Sequence, residues 1–144
     1  MIKYVMRMVL DTNVVVAAMR SPTGASAELL RMAVSRKIQL VASATLCIEY
    51  ESVCHREEHR RAAGFSRGDT DVFLDAVVDL IEPVEVWFFW RPQLRDAGDE
   101  LVLDAAVNGR AKMLVTFNLR DFDVVSGRFG ISVLTPSGAL MRVL

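Results

Sequence analysis

Short, mainly apolar runs recur along the chain between longer mixed segments. The first ends at Leu10 and covers Arg7–Leu10, and the second is Ile38–Ala42. Apolar runs of this length are typical of strands buried on both faces, as in parallel sheets. Three later runs predict three more strands, at Val84–Phe88, Met113–Thr116 and Ile131–Leu134.

The segments between these runs carry helix signals. The expected helices, in chain order, are a short one at Val14–Met19, one carrying Ser26, Leu29, Leu30 and Ala33, one capped by Ser43, one over Val72–Ile81 behind a Ser66/Asp69 capping box, one from Asp99 to Gly109, and a last one starting at Pro136. Strands that alternate with helices predict an α/β fold with a mostly parallel sheet of about five strands. We expect one domain, 1–144.

Length and composition limit the class of protein. With 144 residues, 52% of them hydrophobic, the chain can bury one sizeable core. The longest uncharged stretch, Phe129–Met141, has 13 residues, and Ile38–Ile48 has 11; both are shorter than the roughly 18 needed to cross a bilayer. No signal-peptide pattern precedes it, so we expect a cytoplasmic protein without membrane contact. Cys47 and Cys54 lack metal-binding or redox spacing, which predicts two reduced, buried thiols.

Charge alone does not reveal a partner. The formal net charge is -1, from 17 basic and 18 acidic residues, which neither indicates nor excludes nucleic acid. Arg56, Arg60 and Arg61 form a basic segment whose simplest interpretation is a solvated face. His55 and His59 lie within this charged segment, and we expect them to be exposed and free of metal.

Carboxylates stand where the predicted strands end and helices begin. Asp11 follows the first strand directly, Asp99 and Glu100 open a helix, and Asp121 follows the strand that ends at Thr116. Parallel strands bring such positions to one edge of the sheet, where open α/β folds bind ligands. Because converging carboxylates repel one another unless a cation lies between them, the pattern predicts a divalent metal site.

A fourth acidic position comes from helical spacing. Glu49 shares a stripe with Leu46 and Val53, at i-3 and i+4, so we expect it on the buried face, with Glu51 on the solvated one. For Asp99 and Glu100 the competing explanation is a helix N-terminus, where acidic side chains complement the macrodipole.

Four segments in this order resemble the PIN domain, the fold of many bacterial toxin–antitoxin ribonucleases of the VapC type. They are Val9–Asn13, Ser43–Glu49, Arg95–Glu100 and Leu114–Phe122. The resemblance implies a three-layer α/β/α fold and a ribonuclease that cleaves RNA with Mg²⁺ or Mn²⁺. It also implies a cognate antitoxin as partner.

Matching this family position by position assigns candidate residues. Asp11 is the first carboxylate and Glu49 the second, while the third is either Asp99, by helix position, or Glu100, by an ungapped count. Asn118 stands where the family often has Asp, and Asp121, three residues later, either supplies the missing charge or only caps a turn. The polar residues that match positions orienting the carboxylates are Thr12, Asn13, Ser43 and Thr116.

Three further features bear on function. Trp87–Trp90 is expected to divide between core and interface, which predicts a homodimer or a larger assembly. Ser126–Gly130 is expected to be a surface turn, since it lacks the ending of a phosphate-binding loop. Two alternatives to a nuclease remain: an RNA- or protein-binding module impaired by Asn118, and a phosphoaspartyl enzyme, disfavoured because Asn13 stands where a second acid is needed.

Overall fold

The computed structural model describes residues 5–88 and 93–144. Within these ranges the elements follow one another in the order β1 (Met6–Leu10), α1 (Thr12–Arg20), α2 (Ala25–Val34), β2 (Ile38–Ala42), α3 (Ala44–Cys54), α4 (Glu57–Ala63), α5 (Arg67–Asp79), β3 (Ile81–Pro83), α6 (Ala97–Asn108), β4 (Met113–Val115), a 3₁₀ helix (Leu119–Phe122), α7 (Val125–Phe129), β5 (Ser132–Leu134) and α8 (Pro136–Val143). No helix in the described ranges is both long and apolar enough to span a bilayer.

The strands form one five-stranded sheet in the order β3-β2-β1-β4-β5. Every neighbouring pair is parallel. Met8 and Val9 of the central strand β1 are completely buried, as expected for a strand covered by helices on both faces. The predicted α/β class and the parallel five-stranded sheet are confirmed.

The strand order reverses beside β1. The chain adds β2 and β3 on one side of β1 and then returns to add β4 and β5 on the other. Since parallel crossovers are right-handed, connections that run in opposite directions place their helices on opposite faces. This gives the three-layer α/β/α arrangement, with α6 packed on β1, β2 and β4. The carboxyl ends of β1 and β4 therefore border the crevice in which open sheets bind ligands.

The third strand lies earlier in the chain than the apolar pattern predicted. β3 is Ile81–Pro83, paired with Leu40–Ala42 of β2, so the prediction of a strand at Val84–Phe88 is wrong. The backbone amide of Val84 still donates to the Ala42 carbonyl at 3.0 Å. Proline is tolerated there because β3 is an edge strand.

Beyond β3, a side chain replaces the missing strand partner. The backbone amides of Trp87 and Phe88 both donate to Asn108 Oδ1 at 3.0 Å, and Asn108 Nδ2 donates to the Phe88 carbonyl at 2.9 Å. The two rings are 74% and 63% exposed, so neither belongs to the core part of the expected division between core and interface. Phe89 and Trp90 lie outside the described residues.

Two helices differ from the sequence prediction in extent. α5 begins at Arg67 rather than Val72, directly behind the expected capping box, in which Asp69 N donates to Ser66 Oγ at 3.0 Å and Ser66 N to Asp69 Oδ2 at 2.9 Å. The expected surface turn at Ser126–Gly130 is instead mostly the short helix α7, which ends at Gly130 in the left-handed region with φ 66°.

The two cysteines and His55 have the surroundings of side chains with a structural role. Both thiols are free; Cys54 is buried and Cys47 half-buried. Burial raises the pKa of the Cys54 thiol to about 12, which keeps it protonated and unreactive. His55 Nε2 lies 2.8 Å from Asp71 Oδ1, joining the end of α3 to α5.

Candidate active site

Asp11 lies at the reversal of strand order, directly after β1. Its backbone amide extends the ladder to the Val115 carbonyl of β4 at 2.9 Å. Its side chain is only 7% exposed. Thr116 Oγ1, directly after β4, donates to Asp11 Oδ2 at 2.7 Å, and the Thr12 amide donates to Oδ1 at 2.7 Å. Both carboxylate oxygens are thus fixed by the fold, as the N-cap of α1 and across the sheet.

Glu49 reaches the same place from α3. Thr12 Oγ1 donates to Glu49 Oε2 at 3.1 Å, so Thr12 touches two carboxylates, one through its amide and one through its hydroxyl. Ser43 contributes at the start of α3, where its hydroxyl accepts from Leu46 N at 3.1 Å. Ser43 therefore sets where the helix begins, and no described hydrogen bond joins it to a carboxylate.

A buried tyrosine ties α3 to the strand that carries Asp11. The Tyr50 hydroxyl donates to the Leu10 carbonyl at 2.5 Å, and Tyr50 is 2% exposed. Because Tyr50 follows Glu49 and Leu10 precedes Asp11, this bond fixes the two carboxylate-bearing segments relative to each other.

The N-terminus of α6 brings the third acidic group, with a different cap from the one expected. Asp96, not Asp99, is the N-cap, and its Oδ1 accepts from the amides of Gly98 at 2.7 Å and Asp99 at 3.3 Å. Asp96 has the extended backbone of an N-cap, whereas Asp99 stands inside the first turn. A Cβ on Gly98 would lie 3.1 Å from Glu49 Oε1, so glycine allows α6 to approach Glu49 closely.

Asp99 and Glu100 point to different surroundings. Glu100 is 5% exposed, and its Oε1 accepts from the backbone amides of Gln93 and Leu94 at 2.7 and 2.8 Å. Among the described residues, its Oε2 has no hydrogen-bond partner. Asp99 is half-buried and lines the same cleft as Asp11 and Glu49. The geometry groups Asp99 with the other acids and Glu100 with the loop that precedes α6.

The carboxylates of this group destabilise one another's ionised forms, which raises their pKa values. Burial raises the pKa of Asp99 to about 7, with further upward contributions from the charges of Asp11, Asp96, Asp121 and Glu49. Burial also raises the pKa of Asp11, against hydrogen bonds from Thr116 and Thr12. For Glu49, burial raises the pKa against its bond from Thr12. Clustered perturbed carboxylates are a mark of functional sites.

The turn after β4 places Asn118 and Asp121 at the rim. Both are exposed. The backbone amide of Asn118 donates to Thr116 Oγ1 at 3.0 Å, and the same hydroxyl donates to Asp11, so it links the turn to that carboxylate. Asp121 lies in the 3₁₀ helix, and its charge contributes to raising the pKa of both Asp11 and Asp99. The structure thus brings Asp121 into the acidic group electrostatically.

Two clefts meet at Asp99. The main cleft, of about 610 Å³, has Asp11, Thr12, Asn13, Glu49, Asp99 and Asn118 in its lining. The side cleft, of about 660 Å³, has Asp96, Asp99, Arg120 and Asp121 in its lining. Volumes of roughly 300–1,000 Å³ are typical of small-ligand sites.

The donor atoms fit a hard divalent cation. All are oxygens, the type that Mg²⁺ and Mn²⁺ prefer. Asn13 Oδ1 is buried and has no hydrogen-bond partner in the part of the chain that the structure describes, so it is an unused acceptor in the lining of the main cleft. In residues 5–88 and 93–144, no three acidic, histidine or cysteine side chains stand close enough to form a metal-binding group. In proteins Mg²⁺ commonly keeps several waters and takes one or two carboxylates.

Sequence reasoning missed several residues of the clefts. Asp96 was not among the candidate site residues from the sequence. It lies three residues before Asp99, where the N-cap stands if Asp99 belongs to the first turn of the helix. Arg20, Arg56 and His59, interpreted as solvated or not considered, line the main cleft. Helical spacing could have found the two arginines, because Arg20 is seven residues after Asn13 and Arg56 seven after Glu49.

Comparisons with known proteins identify the fold and the family. No curated protein matches the chain in sequence. The chain is similar in structure to a chain of VapBC2 from Rickettsia felis, crystallised bound to a DNA fragment from their promoter, with a TM-score of 0.60 and 16% identity over 90% of this chain and 97% of that one. The model of the PIN domain family matches residues 7–120. The chain therefore belongs to the PIN domain family.

Proposed function

We propose that this chain is a metal-dependent endoribonuclease that hydrolyses RNA phosphodiester bonds with Mg²⁺ or Mn²⁺. The observation that carries the proposal is the convergence of Asp11, Glu49 and Asp99, from three separate elements, on one cleft where their charges repel. A cation would relieve this repulsion. Membership of the PIN domain family supports the same reaction class.

In this proposal Asp11, Glu49 and Asp99 hold the ion, with Asn118 and Asp121 at the rim and Glu100 holding the loop before α6. A divalent ion bound there supplies an acidified water and compensates charge on the transferring phosphoryl group. Thr12 and Thr116 keep the carboxylates in place through their hydroxyls. Such orienting partners are commonly as important as the ligands themselves.

We further propose that the chain is the toxin of a cytoplasmic toxin–antitoxin pair. The likeness to a chain of the VapBC2 complex supports this role at the level of the fold. A small open reading frame for a DNA-binding-like protein immediately upstream of the gene would support it, whereas an isolated gene would favour another nuclease role.

A second candidate is a binding module that holds RNA without turnover. The neutral, exposed Asn118 at a position where the family often has an acid favours this alternative. Parent protein that binds RNA equally well with and without metal, and does not cleave it, would identify a binding module.

The first prediction tests the reaction. Purified protein should cleave single-stranded RNA with Mg²⁺ or Mn²⁺ and lose this activity in EDTA, and Asp11→Asn should abolish cleavage because it removes the central carboxylate. Gel assays of labelled RNA measure the rate. Asp75→Asn, a change at an exposed acid on α5, serves as the control and should leave the rate unchanged. Cleavage by Asp11→Asn at the parental rate would reject the assignment.

The second prediction concerns charge repulsion at Asp99. Because the pKa of Asp99 is raised in the folded chain, to about 7, its ionised form at pH 8 opposes folding. Asp99→Asn should therefore raise the melting temperature of the metal-free protein by several degrees. The parent should gain stability in millimolar Mn²⁺ by mass action, and Asp99→Asn should lose most of that gain.

Thermal melts at pH 8 with and without Mn²⁺ measure both effects. Asp75→Asn is again the matched control and should behave as the parent. A metal-free Asp99→Asn protein that melts below the parent, or a parent indifferent to Mn²⁺, would contradict the charge-repulsion account.

The third prediction concerns Asp121. If its charge compensates for the neutral Asn118, Asp121→Asn should lower Mn²⁺ affinity and activity about 10-fold or more, the order expected for losing a ligand or its supporting partner. Asn118→Asp in the same chain should restore much of the loss. Titration of activity against Mn²⁺ measures it. Full activity and affinity in Asp121→Asn would mean that Asp121 only shapes the turn.

The fourth prediction concerns assembly. Trp87 and Phe88 present two large rings to solvent from a backbone clamped by Asn108, and we propose that they belong to a surface buried in a homodimer or larger assembly. Light scattering should give at least twice the chain mass, and Trp87→Ala should shift the distribution towards monomer. A parent that stays monomeric at high concentration would remove this support.

A further inference from the structure

The main cleft continues past the carboxylates onto a basic and aromatic surface. Arg20, Arg56 and His59, here called the basic wall, line the cleft together with Asp11 and Glu49, and Phe117 lines it beside Asn118. None of these four side chains has a part in holding the proposed cation. Their chemistry is that of groups that bind phosphates and bases.

The two arginines are placed by the helices that carry the site. Arg20 is the last residue of α1 and lies seven residues after Asn13, so both project from one face. Arg56 follows the end of α3 seven residues after Glu49 and is the N-cap of α4, where its side chain makes no capping hydrogen bond. Arg20 thus lies two turns after an amide on α1, and Arg56 lies at the corresponding distance after an acid, just beyond the end of α3.

Within the basic wall, His59 Nε2 lies 3.9 Å from Glu58 Oε1, whereas the two guanidinium groups are not consumed by ion pairs. Among the residues that the structure describes, no carboxylate lies within ion-pair distance of Arg20 or Arg56. Arg20 Nη1 lies 3.3 Å from His59 Nδ1, which orients the guanidinium without neutralising it. Arg61, by contrast, pairs with Glu57 at 2.7 Å on the outer surface of α4. The guanidinium groups of Arg20 and Arg56 are therefore available to an anion.

Phe117 is an aromatic ring at the mouth of an acidic cleft. It is 51% exposed and follows Thr116, whose hydroxyl binds Asp11. An exposed ring adds little to the core, whereas a face open to the cleft can stack with a planar base. Leu119, two residues on, is also exposed, at 42%, but is absent from the lining of both clefts.

An electrostatic constraint requires such a wall. The formal net charge of the chain is -1, and the reactive end of the cleft is lined by carboxylates, so the protein as a whole does not attract a polyanion. Affinity for a nucleic acid must then come from local cations that contact phosphates beside the reacting one. Arg20 and Arg56 line the same cleft as Asp11 and Glu49.

We propose that the basic wall binds the phosphates flanking the bond to be cleaved, and that Phe117 stacks on an adjacent unpaired base. The substrate is thereby a single-stranded segment, because a base held in a duplex cannot present its face to Phe117. This inference rests on the proposed ribonuclease function for the identity of the polymer, and it concerns binding rather than hydrolysis.

The test measures binding without cleavage. Asp11→Asn protein is titrated, in Mn²⁺, into a short single-stranded RNA that contains 2-aminopurine, whose fluorescence falls on stacking. Dissociation constants are taken over a series of salt concentrations. In this background Phe117→Ala should weaken binding about 10-fold or more and abolish the fluorescence change, since stacking contributes strongly per base. It should leave the salt dependence unaltered.

The arginine variants should show the opposite signature. Arg20→Gln and Arg56→Gln should each reduce the slope of log affinity against log salt by about 0.7, the value for one phosphate contact to a single strand. They should keep the fluorescence change at saturation. Phe117→Tyr should restore stacking, and a duplex of the same sequence should bind without the fluorescence change.

Matched controls separate these effects from general damage. Leu119→Ala removes a neighbouring exposed apolar side chain, and Arg61→Gln removes a cation on α4 that is outside the cleft lining; both should bind like the Asp11→Asn parent. Phe117→Ala with undiminished affinity and quenching would overturn the stacking inference. If both arginine variants keep the parental slope of log affinity against log salt, the inference that the basic wall binds phosphates is overturned. An absence of RNA binding would overturn it as well.

The outcome of this binding test can be distinguished from the outcome of the test of ribonuclease activity. If the chain binds RNA with these two signatures but never hydrolyses it, the proposed ribonuclease function is refuted and the binding inference stands. If it cleaves RNA with metal while substitutions at Phe117, Arg20 and Arg56 leave its affinity unchanged, the ribonuclease function stands and the binding inference is refuted.

Discussion

The hydrogen bond from Thr116 to Asp11 is the interaction on which the site depends. It spans the sheet at the only place where the order of the described strands reverses, between β1 and β4. The same hydroxyl accepts from the amide of Asn118. A threonine hydroxyl has one donor and can accept as well, so this group fixes a carboxylate and the turn beside it at once. The Thr12 amide holds the other oxygen of Asp11 from its own segment, so the two bonds together set the orientation of the carboxylate.

The site is assembled against an electrostatic cost. The raised pKa values of Asp11, Glu49 and Asp99 mean that the folded chain brings together charges that would be more stable apart. The rest of the fold must supply the compensating stability, through the packed strands and the buried Tyr50 bond. Sites that oppose folding in this way are usually those that act on a ligand.

Much of the fold could be predicted because its signals are local and periodic. The positions of β1, β2 and β4 follow from apolar runs, and the inward face of Glu49 follows from the period of a helix. The capping box of α5 is legible in four residues. Each of these depends on neighbours within a turn or a strand, so no distant contact was needed to find it.

Other features depend on contacts between distant segments. The aromatic segment after β3 resembles a strand in composition, but β2 pairs with Ile81–Pro83 and leaves it outside the ladder. The different surroundings of Asp99 and Glu100 depend on two backbone amides, of Gln93 and Leu94, that donate to Glu100 Oε1. The two arginines of the basic wall could have been found by counting two helical turns on from Asn13 and from Glu49.

Asn108 holds the backbone of the exposed residues Trp87 and Phe88 in a fixed conformation. One side chain accepts from both amides and donates to a carbonyl, in the manner of a neighbouring strand. The backbone beneath the two rings is consequently ordered before any partner arrives. Association at such a surface loses little further conformational entropy, so a modest contact area can suffice for a specific and readily reversible complex.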